Sequence, residues 1–275
     1  MFKAALKTAG LFTFPYVGLR RRHNGQVYSN IGAFVVLNRD GWALTSAHLV
    51  NEILAVEREA QADLATMPAE QPAPSPVRDH AEIWAVPGFA ETRPQLAQAI
   101  VRPVADAALV RLEPFDQGCV VNYPVLRDPD ACPVEQGMSV CRLGYPFHDI
   151  SATWDAGKHE FQLPPAAFPV PSFALDGIVA RFRRVSADDG PHDATYIETS
   201  TPGLRGQSGG PLIDTEGRVC GIQSHTTHLD LGFDARFSAG ERVVAERQFL
   251  NVGAATHIAE LISMLDEAGI EYDLG

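Results

Sequence analysis

Gly203-Leu204-Arg205-Gly206-Gln207-Ser208-Gly209-Gly210-Pro211-Leu212-Ile213 sets one hydroxyl residue, Ser208, among four glycines just ahead of an apolar run. A serine hydroxyl is a poor nucleophile until a neighbouring base takes its proton, and the oxyanion it creates must be met by fixed donors. Glycine has no Cβ and enters backbone conformations closed to other residues, so the N–H groups of Gly206 and Ser208 can converge on one point. Gly209 and Gly210 leave room for a substrate backbone. From Gly-x-Ser alone an ordinary Gly-rich turn between strands is the better reading. The longer run Gly-Gln-Ser-Gly-Gly-Pro is more specific, and it obliges the chain to supply a histidine and a group to orient it.

Upstream, residues 11–22 and 27–37 are rich in Phe, Val, Tyr and Ile, and Asn38-Arg39-Asp40-Gly41 leads into Trp42-Ala43-Leu44-Thr45, a hairpin signal. The strand ends in Thr45-Ser46-Ala47-His48. His48 is the candidate base; a partly buried core histidine is the other reading. In Pro103-Val104-Ala105-Asp106-Ala107-Ala108-Leu109 a lone acid is flanked by small and apolar residues. A carboxylate in so apolar a setting needs a partner, and a histidine that gains a proton during reaction is a fitting one. Asp106 also reads as a turn residue at a strand end.

The chain of 275 residues, 45% hydrophobic, is long enough for one large domain or two small ones around a buried core. Its 34 acids against 22 Lys plus Arg give a net charge of −12, which disfavours a nucleic-acid groove or an anionic membrane as partner. The N-terminal apolar run is short, broken by Pro15 and without a small-x-small cleavage site, so a cytoplasmic location is expected. Cys119, Cys132, Cys141 and Cys220 form no tight framework and read as reduced, packed thiols, with a Cys119–Cys132 bridge the one pairing left open.

Residues 51–67 carry helical spacing, with Ile53, Leu54, Val56, Ala60 and Leu64 on one face, and a Pro-rich loop follows over 68–76. Together they predict an insertion over 51–82, after which Ile83-Trp84-Ala85-Val86 resumes a sheet. Residues 116–133 read as a connector, Val134–Pro146 as a strand ending in a turn, and 147–172 as a surface loop. Strands follow at 177–182 and 194–199, then a hairpin through Asp214-Thr215-Glu216-Gly217, and Ile258, Leu261, Ile262 and Leu265 predict a closing amphipathic helix over 254–268. The expected fold is all-β: two six-stranded antiparallel barrels, over 10–115 and 134–252, with a C-terminal helix.

"TSAH" at His48, "DAALVRL" at Asp106 and "GQSGGP" at Ser208, in that order, resemble the chymotrypsin-fold serine proteases. The bacterial HtrA-like branch is the nearer likeness, through "GYP" at Gly144, "DGIVARFRR" from Asp176 and "FLNVGAATHI" before the last helix. The resemblance implies a serine endopeptidase with Ser208 as nucleophile, His48 as general base and then acid, Asp106 as orienting carboxylate, and the N–H groups of Gly206 and Ser208 as oxyanion hole. It implies that Ser224 supports the buried Asp and lines the cleft. Pro202, Leu204, Gln223, Ser224, His225 and Thr226 are the expected substrate-binding residues, with residues 222–226 offering a strand edge to an extended peptide. A polypeptide is the expected substrate, an oligomer or regulatory partner is left open, and no cofactor is expected.

Departures from the family refine this. Gln207 stands where members activated by a cleaved N-terminus carry an acid, so that route of activation is not expected. No Cys flanks His48 or Ser208, and the chain stops at Gly275 with no following PDZ domain, which reads as a protease domain alone. The wall Thr199–Leu204 carries no acid, which disfavours Lys or Arg as the residue before the scissile bond and favours a small or aliphatic one; His225 and His228 instead favour an acidic one. His225-x-x-His228 is not read as a metal pair, and no metal site is expected. Two rivals remain: a silent peptide-binding pseudoprotease, and a serine esterase using the Gly-x-Ser-x-Gly elbow with Asp234 and His257. The elbow requires a helix directly after the serine, where this chain has Pro211 and a strand pattern.

Overall fold

The computed structural model describes residues 1–22, 24–55, 77–186, 193–239 and 242–275. A short helix α1 (Lys3–Ala9) precedes the first sheet, whose strands are β1 (Thr13–Arg22), β2 (Val27–Val36), β3 (Trp42–Ser46), β4 (Val77–Trp84), β5 (Gln95–Arg102) and β6 (Ala107–Glu113), in the order β4-β1-β2-β3-β6-β5. A helix α2, described over 47–55, follows β3, and a single turn α3 (Phe89–Thr92) joins β4 to β5. β1 and β2 pair antiparallel from Thr13↔Val35 to Arg21↔Val27, and β3 pairs with β6 from Trp42↔Arg111 to Ser46↔Ala107. Alternating Phe, Tyr and Val side chains turn inward to fill this sheet: Trp84 packs with its ring centroid 4.8 Å from Tyr16 and 5.1 Å from Phe34, all three buried.

The second sheet contains β7 (Val125–Leu126), β8 (Ser139–Gly144), β11 (Phe173–Ser186), β12 (Asp193–Thr199), β13 (Pro211–Ile213), β14 (Val219–Ala239), β15 (Arg242–His257) and β16 (Asp273–Leu274). Six of these close on themselves, in the order β13-β8-β11-β12-β15-β14, because β14 also pairs with β13 (Pro211↔Ile222). The expected second barrel is therefore closed, with β7 and β16 added in parallel beside β14. The closing helix α4 (Ile258–Ala268) buries Ile258, Leu261, Met264 and Leu265, and Gly269 ends it at φ +64°.

Several elements differ from expectation. The chain is helical over 47–55, so α2 starts at the histidine motif itself; the rest of the 51–67 reading and the Pro-rich loop lie outside the described residues. β4 begins at Val77, inside the stretch read as an insertion: an edge strand needs no alternation, and its polar residues hid it. Residues 147–172 contain a small hairpin of β9 (Thr153–Asp155) and β10 (Glu160–Gln162), and Ile150, Ala167 and Val170 pack against Val17 and Leu19 of β1. Residues 254–257, read as helix, finish β15 instead. Beyond Gly253 the β14–β15 pair runs on as a two-stranded ribbon exposing Leu231, Phe233, Phe249 and Leu250. All four cysteines are free thiols, so the Cys119–Cys132 bridge does not form.

Candidate active site

The site lies on the seam of the two sheets. β3 delivers the chain to His48, in the first turn of α2, and β6 is preceded by a 3-10 turn (Pro103–Ala105) that sets Asp106 at φ +47°. Asp tolerates that left-handed conformation better than most residues. The turn is tied to the second barrel by Tyr196, whose hydroxyl donates to the Val104 carbonyl at 2.7 Å, and by Thr256, which donates to the Ala105 carbonyl. Ser46 Oγ likewise reaches across to the Gln223 carbonyl at 3.0 Å.

His48 and Asp106 are in direct contact. His48 Nδ1 lies 2.9 Å from Oδ2 and 3.1 Å from Oδ1 of Asp106, and the His48 backbone N–H donates to Oδ1 at 2.9 Å. Ser224 Oγ donates to Oδ2 at 2.5 Å. Burial opposes charge on both groups, but their hydrogen bond and mutual attraction prevail: the carboxyl is held below its ordinary range and the imidazole above it. Nδ1 is thereby assigned as the protonated nitrogen when the ring is neutral, leaving Nε2 as the basic one.

The Ser208 loop is fixed from three sides. Ala33 N–H donates to the Ser208 carbonyl (2.8 Å), Tyr145 N–H to the Gly206 carbonyl (2.8 Å) and Gly209 N–H to the Gln223 carbonyl (2.8 Å). Gln207 is fully buried and its Oε1 accepts the Leu204 N–H at 2.9 Å, so this side chain braces the loop from within. Gly206 and Gly209 sit at φ +97° and +80°, and a Cβ on Gly209 would fall 2.1 Å from the Ala33 carbonyl oxygen. Among the described residues the N–H groups of Gly206 and Ser208 have no acceptor. Ser208 Oγ donates to the Ser224 carbonyl at 3.3 Å.

The expected substrate-binding residues divide. Pro202, Leu204 and Thr226 are half-buried along the cleft wall, with Thr226 Oγ1 donating to the Gly203 carbonyl at 2.6 Å. Gln223 lies beneath it, 2% exposed, its Nε2 donating to the His225 carbonyl at 2.8 Å. His225 and His228 serve different partners: His225 contacts Ser224 (2.8 Å) and Arg183 (3.0 Å) and packs on Tyr196, while His228 contacts Asn251 at 2.6 Å on the ribbon. The elbow reading loses its partners, since Asp234 pairs with Arg247 on that ribbon, His257 caps α4, and Ser208 is followed by β13. Sequence reasoning missed Gln207 as a brace and Arg142 altogether; a lone Arg inside the apolar run Val140–Leu143 was the available signal.

The profile of the trypsin-like peptidase domain matches residues 32–222, a span that takes in His48, Asp106 and Ser208. The chain belongs to the trypsin-like peptidase family. It is a serine protease, and its likeness to solved structures bears out the fold. The active form of the Rv3671c protease from M. tuberculosis aligns with a TM-score of 0.51 at 16% identity, over 98% of this chain and 86% of that one. The HtrA-type protease AlgW, solved with a tripeptide, aligns with the same TM-score and identity, over 98% of this peptidase and 65% of AlgW. A search of curated protein sequences found no match. Among the described residues no helix of the peptidase is long and apolar enough to cross a membrane.

Proposed function

We propose that this protease is an endopeptidase working through Ser208, His48 and Asp106 by way of an acyl-enzyme. The observation that carries the reading is the His48–Asp106–Ser224 hydrogen-bond chain beside a serine loop with two backbone N–H groups that have no acceptor among the described residues. On this reading Ser208 Oγ leaves the Ser224 carbonyl for His48 Nε2 when substrate arrives, since catalytic hydrogen bonds tighten in the substrate complex. Oγ then attacks the scissile carbonyl carbon, and its proton passes to Nε2. The negative charge on the carbonyl oxygen meets the N–H groups of Gly206 and Ser208, each donor of this kind being worth about 2.7–4 kcal/mol. The imidazolium is stabilised by Asp106 and returns its proton to the departing amine; water repeats the sequence in reverse to free Ser208.

The substrate is a polypeptide in extended form. β14 uses its edge against β13 and the Ser208 loop as far as Gln223, which bonds both Gly209 and Gly210, so beyond it the strand, bulged between Gln223 and His225, has an edge to pair with a peptide backbone. Cleavage of an unfolded protein or a peptide library by the purified chain is the test: Ser208→Ala and His48→Ala are each expected to lower kcat/KM by on the order of 10⁴-fold or more. Unchanged turnover in either variant contradicts the assignment.

A further inference from the structure

Arg142 stands in the middle of β8 and is 1% exposed. Its Nε donates to Gln223 Oε1, its Nη1 to Thr201 Oγ1 at 3.1 Å and its Nη2 to Thr199 Oγ1. All three acceptors are neutral, and among the described residues no carboxylate pairs with this guanidinium. Other arginines of the same barrel are matched: Arg181 and Arg183 with Glu198, Arg127 and Arg218 with Asp214. A buried, unmatched cation is costly, so a fold that keeps one ordinarily has an anion to bring to it. Burial pushes the Arg142 pKa down to about 10, which still leaves the group charged at neutral pH.

The position of that charge identifies the anion. Thr199 and Thr201 begin the wall that runs to Ser208, and Gln223 adjoins Ser224, which touches both Asp106 and Ser208. Two glycines face each other over the guanidinium. A Cβ on Gly253 would lie 2.3 Å from Arg142 Nη2 and 2.7 Å from Gly203 N, and a Cβ on Gly203 would lie 2.1 Å from Gln223 Nε2. Above them Thr201, Gly203 and Thr226 are only half-buried, so one layer of small residues separates the charge from the cleft. A guanidinium carries five N–H donors, and the three bonds above leave one on each terminal nitrogen.

We infer that Arg142 supplies the positive floor of the pocket for the residue before the scissile bond, and that the protease prefers a carboxylate side chain there. This rests on Ser208 as the nucleophile, which locates that pocket. The aliphatic preference expected from the uncharged wall is replaced, because the charge comes from a strand behind the wall. In the low-dielectric interior an unpaired charge acts over several ångströms, so the carboxylate need not displace Gln223 or Thr201 to feel it.

Four fluorogenic peptides differing only at that position, with Glu, Gln, Val or Lys, test the assignment. Glu and Gln share a shape and differ in charge. The unmodified protein is expected to show a Glu:Gln ratio of kcat/KM of at least about tenfold, the scale of one well-made charge-assisted contact. Arg142→Met should bring the ratio towards one, while Arg142→Lys should retain part of it. Gln223→Glu places a carboxylate against Arg142 from within the protein and should also collapse the ratio, which covers the case of Arg142→Met failing to fold. A Glu:Gln ratio of one or less in the unmodified protein, or a ratio that neither Arg142→Met nor Gln223→Glu moves, overturns the inference. Fluorophosphonate labelling run in parallel separates the two levels: a labelled protein that cuts Val or Lys peptides without preferring Glu, or that fails to cut the Glu peptide, overturns the pocket assignment alone. An unlabelled protein that cuts none of the four overturns the Ser208 reading with it.

Discussion

Asp106 gathers more of the site's polar geometry than any other side chain, accepting from the His48 ring, the His48 backbone and Ser224 while its own backbone is turned to φ +47°. Its charge favours the protonated form of His48, so the imidazole titrates above its ordinary value near 6.5. A general base must be neutral to accept a proton, so kcat/KM is expected to rise as pH climbs through that raised value. Asp106→Asn removes the charge and frees the tautomer; kcat/KM at neutral pH should fall on the order of 10⁴-fold, and the acidic limb of the profile should move to lower pH. A pH–rate series on both proteins measures the two effects. A limb that stays in place would make Asp106 a residue of structure alone. That Asp106 was legible at all follows from its setting: a carboxylate flanked by Ala105, Ala107 and Ala108 has nothing local to pair with. Arg142 was marked only as a lone cation within Val140–Leu143; its partners come from β12, the Thr201 wall and β14, and no local pattern records those.

At the scale of elements, the Ser208 loop and the strands that carry its partners are held by backbone contacts too close for any side chain. Gly209 is the clearest instance, at φ +80° with the Ala33 carbonyl, Thr45 Oγ1 and Ser46 N around its missing Cβ. Gly209→Ala is expected to cost about 1–3 kcal/mol for the backbone conformation alone and more for the collision. Gly217→Ala, at φ +89° but with its nearest neighbour 3.4 Å away, should show the conformational cost only. Urea unfolding of the two variants gives the comparison, and equal losses would mean that the close approach at Gly209 is relieved at no cost. Apolar patterning, with a hairpin turn, revealed β1, β2 and β3 in the sequence, because each carries a continuous run of buried residues. It was silent on β4 and on the length of β14 and β15, where both faces are largely polar or exposed. It was equally silent on α1, whose N-cap is Phe2 and carries no side-chain capping bond.

In the whole molecule, the two sheets meet where Asp106 of the first accepts from Ser224 of the second, whose carbonyl accepts from Ser208, so the proposed site exists only when both are folded and docked. Hydrogen bonds across the seam, Ser46 to Gln223, Tyr196 to Val104 and Ala33 to Ser208, fix that docking. Three short motifs announced it because the chemistry restricts residue type at each position, whereas the packing of 147–172 against β1 depends on irregularly spaced apolar residues that carry no period. The most direct measurement of the central claim is intact-mass analysis after exposure to a fluorophosphonate. One adduct per chain on the unmodified protein, absent from Ser208→Ala and reduced by at least about 10³-fold in rate for His48→Ala, is the expected result. An adduct that persists in Ser208→Ala, or labelling whose rate is indifferent to His48, would contradict it.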